Sequence, residues 1–482
     1  MIDNRWQPTL GRLAPLFWAS LVAVGLLIVF PYGFPTYDTR YALVWGNEIG
    51  SGLSPDYGAG DPPTPHPLAD AWGALVSPLG ALGATDATMV VAYLSIGAIA
   101  YLVYRLGATW FDRPIGVLAA VLIVTRPPLI SNGLRAYVDL PYIALVLAAL
   151  ALESRRPRAG WPVLALLAAA GLLRPEAWLF SAAYLLYMLL ELNPEDGRLP
   201  LRPRPELTRV RGAALVALAA SAPLIWALFD LITSGEPLYS FTATRSRVGE
   251  LERDTGLAAV VLDGPHRLGE ALSRPGIVAA GAGIVLSLVW FRKRAGPGLV
   301  AVALAVGAFA ILGSSGLAVI ARYLMLLSAL LCVFAAAAVL GWRLLPGADP
   351  WRRRWPVLAA LLAVLFIAQA PQQWGYLSDE DFTIDQQARL DTDLRKLAES
   401  GAFAPGCGPI ASPSDRAVPR LASWLDVRPS SISIEGFDPP PDRGYLLDTR
   451  TAYGADHYGE AVVPPGFRPV AGNESFLLYA KC

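Results

Sequence analysis

Residues 13–40 read LAPLFWASLVAVGLLIVFPYGFPTYDTR. No charge interrupts the run from Leu13 to Gly33, and Asp38 and Arg40 follow almost at once. Some twenty apolar residues at about 1.5 Å each match the ~30 Å hydrocarbon core of a bilayer. Arg5 and Arg12 precede the run and no small-residue cleavage site follows it, so it reads as a retained span and not as a signal peptide. Further apolar runs fall at about 87–106, 114–131, 137–153, 160–173, 177–192, 212–232, 275–291, 298–313, 317–341 and 355–371. The runs 160–173 and 177–192 are separated by Leu-Arg-Pro-Glu-Ala, and Pro175 favours a break there because it removes a backbone donor and restricts its predecessor. No charged residue is expected well inside a span. The fold class is an α-helical polytopic membrane protein of about eleven transmembrane helices. Composition agrees: 54% of the 482 residues are hydrophobic and 16% charged. Net charge is zero, so no basic excess points to nucleic acid.

Positive charges set the orientation. With the N-terminus in the cytoplasm, the cytoplasmic ends receive Arg5 and Arg12, Arg105 and Arg113, Arg155, Arg156 and Arg158, then Arg198, Arg202, Arg204, Arg209 and Arg211. Arg292, Lys293 and Arg294 follow, then Arg343 and Arg352 to Arg354. The C-terminus is then outside, giving a multi-pass cell-membrane protein with an extracytoplasmic tail. Two domains follow: a transmembrane domain over 1–371, with outer loops 34–86 and 233–274, and a small extracytoplasmic α/β domain over 372–482. In the first loop, helices are expected at 39–50 and 68–82 around a breaker-rich stretch. The tail opens with a polar helix at 383–400. Strands are expected at 409–412, 431–434, 445–448 and 475–480, and a helix near 415–425. Cys332 lies in an apolar run and reads as a small buried hydrophobe. Cys407 and Cys482 form either a disulfide or two free thiols.

Chemistry is sought among ionisable groups at the outer ends of spans, because such groups are costly near lipid. Asp38 can act as a general base or cap the following helix. Asp139 opens the fourth span, and Arg135, four residues earlier, can share a helical face with it, orienting an acceptor or balancing a phosphate. Arg174 and Glu176 frame Pro175 and can bind a headgroup or stand in water. Arg322, followed by Tyr323, lies at the outer end of a span, where a guanidinium can hold a phosphate or snorkel to the interface. His66, pinned by prolines in Thr-Pro-His-Pro, can bind a sugar hydroxyl or a phosphate, or simply form a turn. The charged stretch 233–274 reads as a solvated helix that could cover a site.

Tyr37-Asp38-Thr39-Arg40-Tyr41, Asp139, Leu173-Arg174-Pro175-Glu176-Ala177-Trp178 and Ala321-Arg322-Tyr323-Leu324 together resemble the GT-C superfamily of membrane glycosyltransferases, which includes protein mannosyltransferases and bacterial aminoarabinose and arabinosyl transferases. The resemblance covers roughly residues 1–340 and matches the tail only in placement. It implies Asp38 as the catalytic residue, a polyprenyl-phosphate sugar as donor, and a glycan, lipid or protein acceptor in the cell envelope. Thr39 stands where the common family pattern has a second acidic residue. No cofactor is implied; a divalent metal is left open, though one carboxylate is a poor cage for it. Topology also favours a lipid donor, since no cytoplasmic loop is large enough to bind a nucleotide sugar. The competing classes are a transporter or flippase for a lipid-linked saccharide and a non-catalytic envelope scaffold. Neither repeated halves nor a charge inside a span is expected to support the former.

Overall fold

The computed structural model describes residues 7–192, 201–203, 208–404, 406–436, 438–439 and 441–482. Arg5, Arg198 and Arg204, used above for orientation, lie outside them. Each apolar run falls on helix. In chain order these are α1 (Gln7–Val29), then α2 (Tyr37–Gly50) and α3 (Pro67–Val76) in the first loop, and α4 (Gly80–Trp110). Next come α5 (Arg113–Val124), α6 (Pro127–Leu134), α7 (Asp139–Arg155), α8 (Trp161–Gly171) and α9 (Glu176–Leu189). A two-stranded antiparallel ribbon, β1 (Leu190–Leu192) with β2 (Leu201–Pro203), precedes α10 (Arg209–Ser234). The second long loop folds as α11 (Tyr239–Glu250), α12 (Gly256–Leu262) and α13 (Gly264–Leu272), followed by α14 (Arg274–Trp290), α15 (Arg292–Ser314), α16 (Met325–Leu340) and α17 (Trp351–Glu399).

Among the described residues, five helical stretches are long and apolar enough to cross a membrane, and seven if each bent pair is one span. The chain is therefore a multi-pass membrane protein. Several of the remaining runs form shorter helices of 11 to 17 residues. α5 and α6 meet at a 60° bend, and α13 and α14 at 99°. Arg126 sits buried at the first bend, inside the run 114–131, against the expectation of uncharged spans. Its Nε donates to the Leu122 carbonyl (3.1 Å) and its Nη1 to the Leu272 carbonyl (3.1 Å). One guanidinium thus serves carbonyls released at both bends, and the Leu122 carbonyl accepts from the Thr125 hydroxyl as well (3.1 Å).

The bundle packs around α16, buried from Met325 to Ala338 and apolar on every side, as a central helix must be. Small residues allow the closest crossings. A Cβ on Gly283 would overlap the Phe334 carbonyl where α14 meets α16, and one on Gly97 would overlap the Ala19 carbonyl where α4 meets α1.

α17 runs unbroken for 49 residues through Pro371, so the expected polar helix is the continuation of the last apolar one. It delivers the chain into a five-stranded sheet of order β4-β3-β5-β7-β6. The strands are β3 (Ile410–Ser412), β4 (Ile432–Ile434), β5 (Gly444–Thr449), β6 (Arg468–Gly472) and β7 (Phe476–Lys481). β3 is parallel to β4 and β5, and β7 is antiparallel to β5 and β6. α18 (Val418–Leu425) crosses from β3 to β4, and α19 (Ala452–Tyr458) follows β5. The edge strand β6 was not anticipated: Pro469 and an almost wholly exposed run give no alternating pattern. Cys407 and Cys482 form a disulfide that ties the chain end to the segment before β3, while Cys332 is free and buried.

The small domain rests on α2. Tyr41, Val44 and Trp45 share one apolar core with Leu394, Val418, Leu421 and Phe476. Beside it Asp391 of α17 accepts from Arg40 (3.2 Å) and from Arg420 (2.8 Å), and Arg40 lies over Trp424.

Candidate active site

Three backbone seams bring distant turns together. Phe34 N–H donates to the Leu134 carbonyl (3.0 Å), Thr36 N–H to Arg135 (2.8 Å), and the Thr39 hydroxyl to Ala136 (2.7 Å). These place the start of α2 beside the turn between α6 and α7, where Ala136 holds a left-handed φ of 51°. Leu68 N–H donates to Leu172 (3.2 Å), joining the His66 loop to the α8–α9 turn. Val319 N–H donates to Asp254 (2.9 Å), joining the second loop to the segment that carries Arg322.

At their meeting point lies a cavity of about 830 Å³. Asp38, His66, Arg174, Glu176, Arg322 and Tyr323, all singled out in the sequence, line it. Asp38 stands second in α2, whose N-cap is Thr36, so it is not a capping residue; it faces Arg322 Nη1 at 3.5 Å. Asp139 sits just behind the wall, buried, accepting from Arg174 Nη1 (2.6 Å) and lying 3.8 Å from Arg322 Nε. Arg174 also donates to Glu176 through Nε (2.9 Å) and Nη2 (2.6 Å), and its guanidinium stacks 4.4 Å from the Tyr323 ring centre. Arg322 stacks 4.7 Å from the Tyr137 ring centre. Two guanidiniums thus serve three carboxylates in one connected network.

That network is incompletely satisfied. Asp139 Oδ2, Glu176 Oε2, Arg322 Nε and His66 Nδ1 are all buried without a hydrogen-bond partner. Native interiors rarely leave so many polar atoms unmatched in one place, so the cluster points to a polar ligand. His66 packs edge-on against Trp226; burial, reinforced by the Arg174 charge, pushes its imidazole pKa down to about 4. It is neutral at pH 7 and offers a hydrogen bond, not a charge. Trp178, Trp226, Phe241, Leu312 and Ile320 add an apolar patch to a lining that also carries Asn132, Asp230, Ser240, Thr244, Arg247 and Arg253.

Arg135 goes elsewhere. It donates to Glu380 (3.0 Å) and Gln387 (3.1 Å) on α17 and to Ser131, clamping α6 to α17. The expected Arg135–Asp139 pair does not form, because α6 ends at Leu134 and a turn separates the two residues. The second loop does cover the cavity: Ser240, Phe241, Thr244, Arg247 and Val248 of α11 line it. Asp230 holds α11 in place, accepting from Ser240 N–H (2.9 Å) and its hydroxyl (2.7 Å). Arg247 reaches across to Asp61 (2.7 Å), whose carboxyl burial pushes up to about 6. Sequence reasoning passed over Tyr137, Trp226 and Asp61, and took Arg247 only as one charge of the stretch 233–274. Tyr137 lies two residues before Asp139, but nothing in the sequence pairs Asp61 with a residue 186 positions away. Among the described residues no three His, Cys, Asp or Glu side chains gather as a metal site.

No protein-family model matches the chain, and no curated protein matches it in sequence. Solved structures do. ArnT from Cupriavidus metallidurans bound to undecaprenyl phosphate is similar over 97% of this chain and 98% of its own, at 13% identity and a TM-score of 0.53. Its apo state gives 0.54 over 98% of both chains, again at 13% identity. The apo oligosaccharyltransferase of Archaeoglobus fulgidus gives 0.51 at 12% identity, over 92% of this chain and 70% of that one. The chain shares the fold of these solved structures over membrane part and tail alike.

Proposed function

We propose that this protein is a membrane glycosyltransferase that moves a sugar from a polyprenyl-phosphate donor to a hydroxyl on an extracytoplasmic glycan, lipid or protein. The observation that carries the reading is the Asp38–Arg322 pair at the wall of a roomy cavity that also presents an apolar patch from Trp178, Trp226, Leu312 and Ile320. A charged cluster beside an apolar patch suits a molecule with a phosphate and a hydrocarbon tail. Shared fold supports the reading as well: one of the similar structures is described as bound to undecaprenyl phosphate. The positive-inside pattern puts the cavity and the small domain on the extracytoplasmic face.

In this reading Arg322, with Arg174 behind it, holds the donor phosphate; Arg322 Nε has a donor to spare. The acceptor oxygen attacks the anomeric carbon while the Asp38 carboxylate takes its proton. The bond from that carbon to the phosphate oxygen breaks, and polyprenyl phosphate leaves with the electron pair, stabilised by the guanidiniums. Attack opposite the leaving group inverts the anomeric centre. Asp139 positions both arginines, and Glu176, His66 and Tyr323 line the space for the sugar. No step is routed through a metal: each carboxylate here already faces a guanidinium, which repels a cation.

The test is transfer in liposomes from a panel of polyprenyl-phosphate sugars, with cell-envelope extract as acceptor source. Wild-type transfer that disappears in Asp38→Asn supports the reading. Folded wild type that transfers from no donor overturns it and favours transport of a lipid-linked saccharide or a scaffold.

A further inference from the structure

A second cavity lies far from the active site. It holds about 300 Å³ and is lined by α7 from Val146 to Glu153, by Val163 and Leu167 of α8, by α9 from Phe180 to Tyr187, and by α15 from Pro297 to Leu304. The helix directions fix its place. Asp139 begins α7, Arg174 follows α8 and Glu176 begins α9, so the active site occupies one end of these helices. The second cavity occupies their other half, reaching toward the end where α7 and α9 finish and α8 and α15 begin. From Val146 to Glu153 it extends about 10 Å along α7 at 1.5 Å per residue.

Its chemistry is one-sided. The polar groups in its wall are Glu153 and the Tyr184 and Tyr187 hydroxyls. Glu153 is already engaged: it accepts from Arg158 N–H (2.6 Å), Ala159 N–H (3.3 Å) and the Tyr184 hydroxyl (2.8 Å). The interior therefore asks for hydrocarbon. Apolar cavities of roughly half this volume stay dry and take up an apolar guest. The rim is basic. Arg158 lies with its guanidinium 4.8 Å from the centre of the Tyr187 ring, whose side chain lines the cavity. Arg155 and Arg156 are exposed at the end of α7, and Arg292, Lys293 and Arg294 are exposed at the start of α15. Six cations at the ends of the helices that wall the cavity are the charge pattern that anionic headgroups select.

We infer that this cavity binds one acyl chain of an anionic phospholipid, with the phosphate held at the rim by Arg158 and its neighbours. The lipid comes from the leaflet opposite the active site, which the positive-inside pattern makes the cytoplasmic one. The inference does not depend on the proposed transferase reaction, only on the chain's residence in a membrane.

Native mass spectrometry of the full-length protein tests it, with phosphatidylglycerol and phosphatidylcholine of matched chains supplied together. One phosphatidylglycerol is expected to stay bound, with at least a fivefold preference over phosphatidylcholine. Ala183→Phe, which fills the cavity from its partly exposed wall, is expected to reduce that retention at least tenfold. Arg155→Gln combined with Arg158→Gln leaves the cavity intact and is expected to erase the preference while an acyl chain still enters; this variant decides the matter if Ala183→Phe does not fold. Equal retention of both lipids by the wild type, or an unchanged preference in the double arginine variant, overturns the proposal. So does displacement of phosphatidylglycerol by equimolar polyprenyl phosphate, which would assign the cavity to the carrier lipid.

Discussion

Asp38 and Arg40 are two residues apart on α2 and belong to opposite kinds of charge cluster. Arg40 points into the seat of the small domain, where Asp391 receives both it and Arg420, and Thr85 takes a further hydrogen bond at 2.7 Å. Both Asp391 oxygens are used, and of Arg40 only Nε goes unmatched. Asp38 points the other way, into a cavity, toward a network in which four buried polar atoms lack partners. The seat sets two arginines against one carboxylate and the cavity two against three, and Asp38 and Arg322 are more exposed than Arg40 and Asp391. At the seat the unmatched atoms are Arg40 Nε and Nε1 of the Trp424 ring it lies over, whereas the cavity network leaves two carboxylate oxygens unmatched beside a void that a ligand can fill. One helix thus carries the catalytic candidate on one face and the anchor that holds it still on the other.

Substitutions can break or sharpen this contrast. The largest expected effect is Asp38→Asn, which should lower transfer by about 10²–10⁴, the usual worth of a general base, with no change in thermal unfolding. Full turnover by the folded variant would remove the base from the mechanism. Asp391→Ala should do the reverse. Stranding buried guanidiniums costs about 3–5 kcal/mol, read as an earlier unfolding transition, while the protein that remains folded keeps its transfer rate. If instead turnover collapses without loss of stability, the two clusters are not separable. Arg322→Gln should reduce kcat by about 10²–10³, as for loss of one electrostatic donor to a developing charge. A pure rise in KM would limit Arg322 to ground-state binding.

The smallest effect concerns His66. Its folded pKa of about 4 lies below its ordinary value of about 6.5, so the unfolded chain binds the extra proton first. Its contribution to stability is therefore intact above pH 6.5 and is lost as pH falls from there through 4. His66→Gln should flatten that part of the Tm-against-pH curve relative to wild type. Identical curves would show that the imidazole titrates normally and is not enclosed.

Much of the fold was legible because its signals are local. Long apolar runs with arginines clustered at alternate ends mark helices whatever surrounds them. The α/β alternation of the tail and the acidic residue after the first span are equally short-range. The breaks were harder. Arg126 reads as an interruption only once the Leu272 carbonyl is seen beside it, 146 positions away. β6 gave no periodic signal because an exposed edge strand need not alternate.

The sequence by itself determined that this is a polytopic helical membrane protein with a small mixed domain, with carboxylates and arginines together at one set of helix ends and arginines clustered at the other. Only the tertiary structure decided their partners. Arg135 was near enough in sequence to pair with Asp139 but closes on Glu380 instead, and Asp139 takes Arg174, while Asp38 meets Arg322 across 284 residues. Hydropathy says how deep a helix sits but not which neighbour it packs against or how it is rotated. An ion pair needs both, to within an ångström or so, and helix packing alone supplies them.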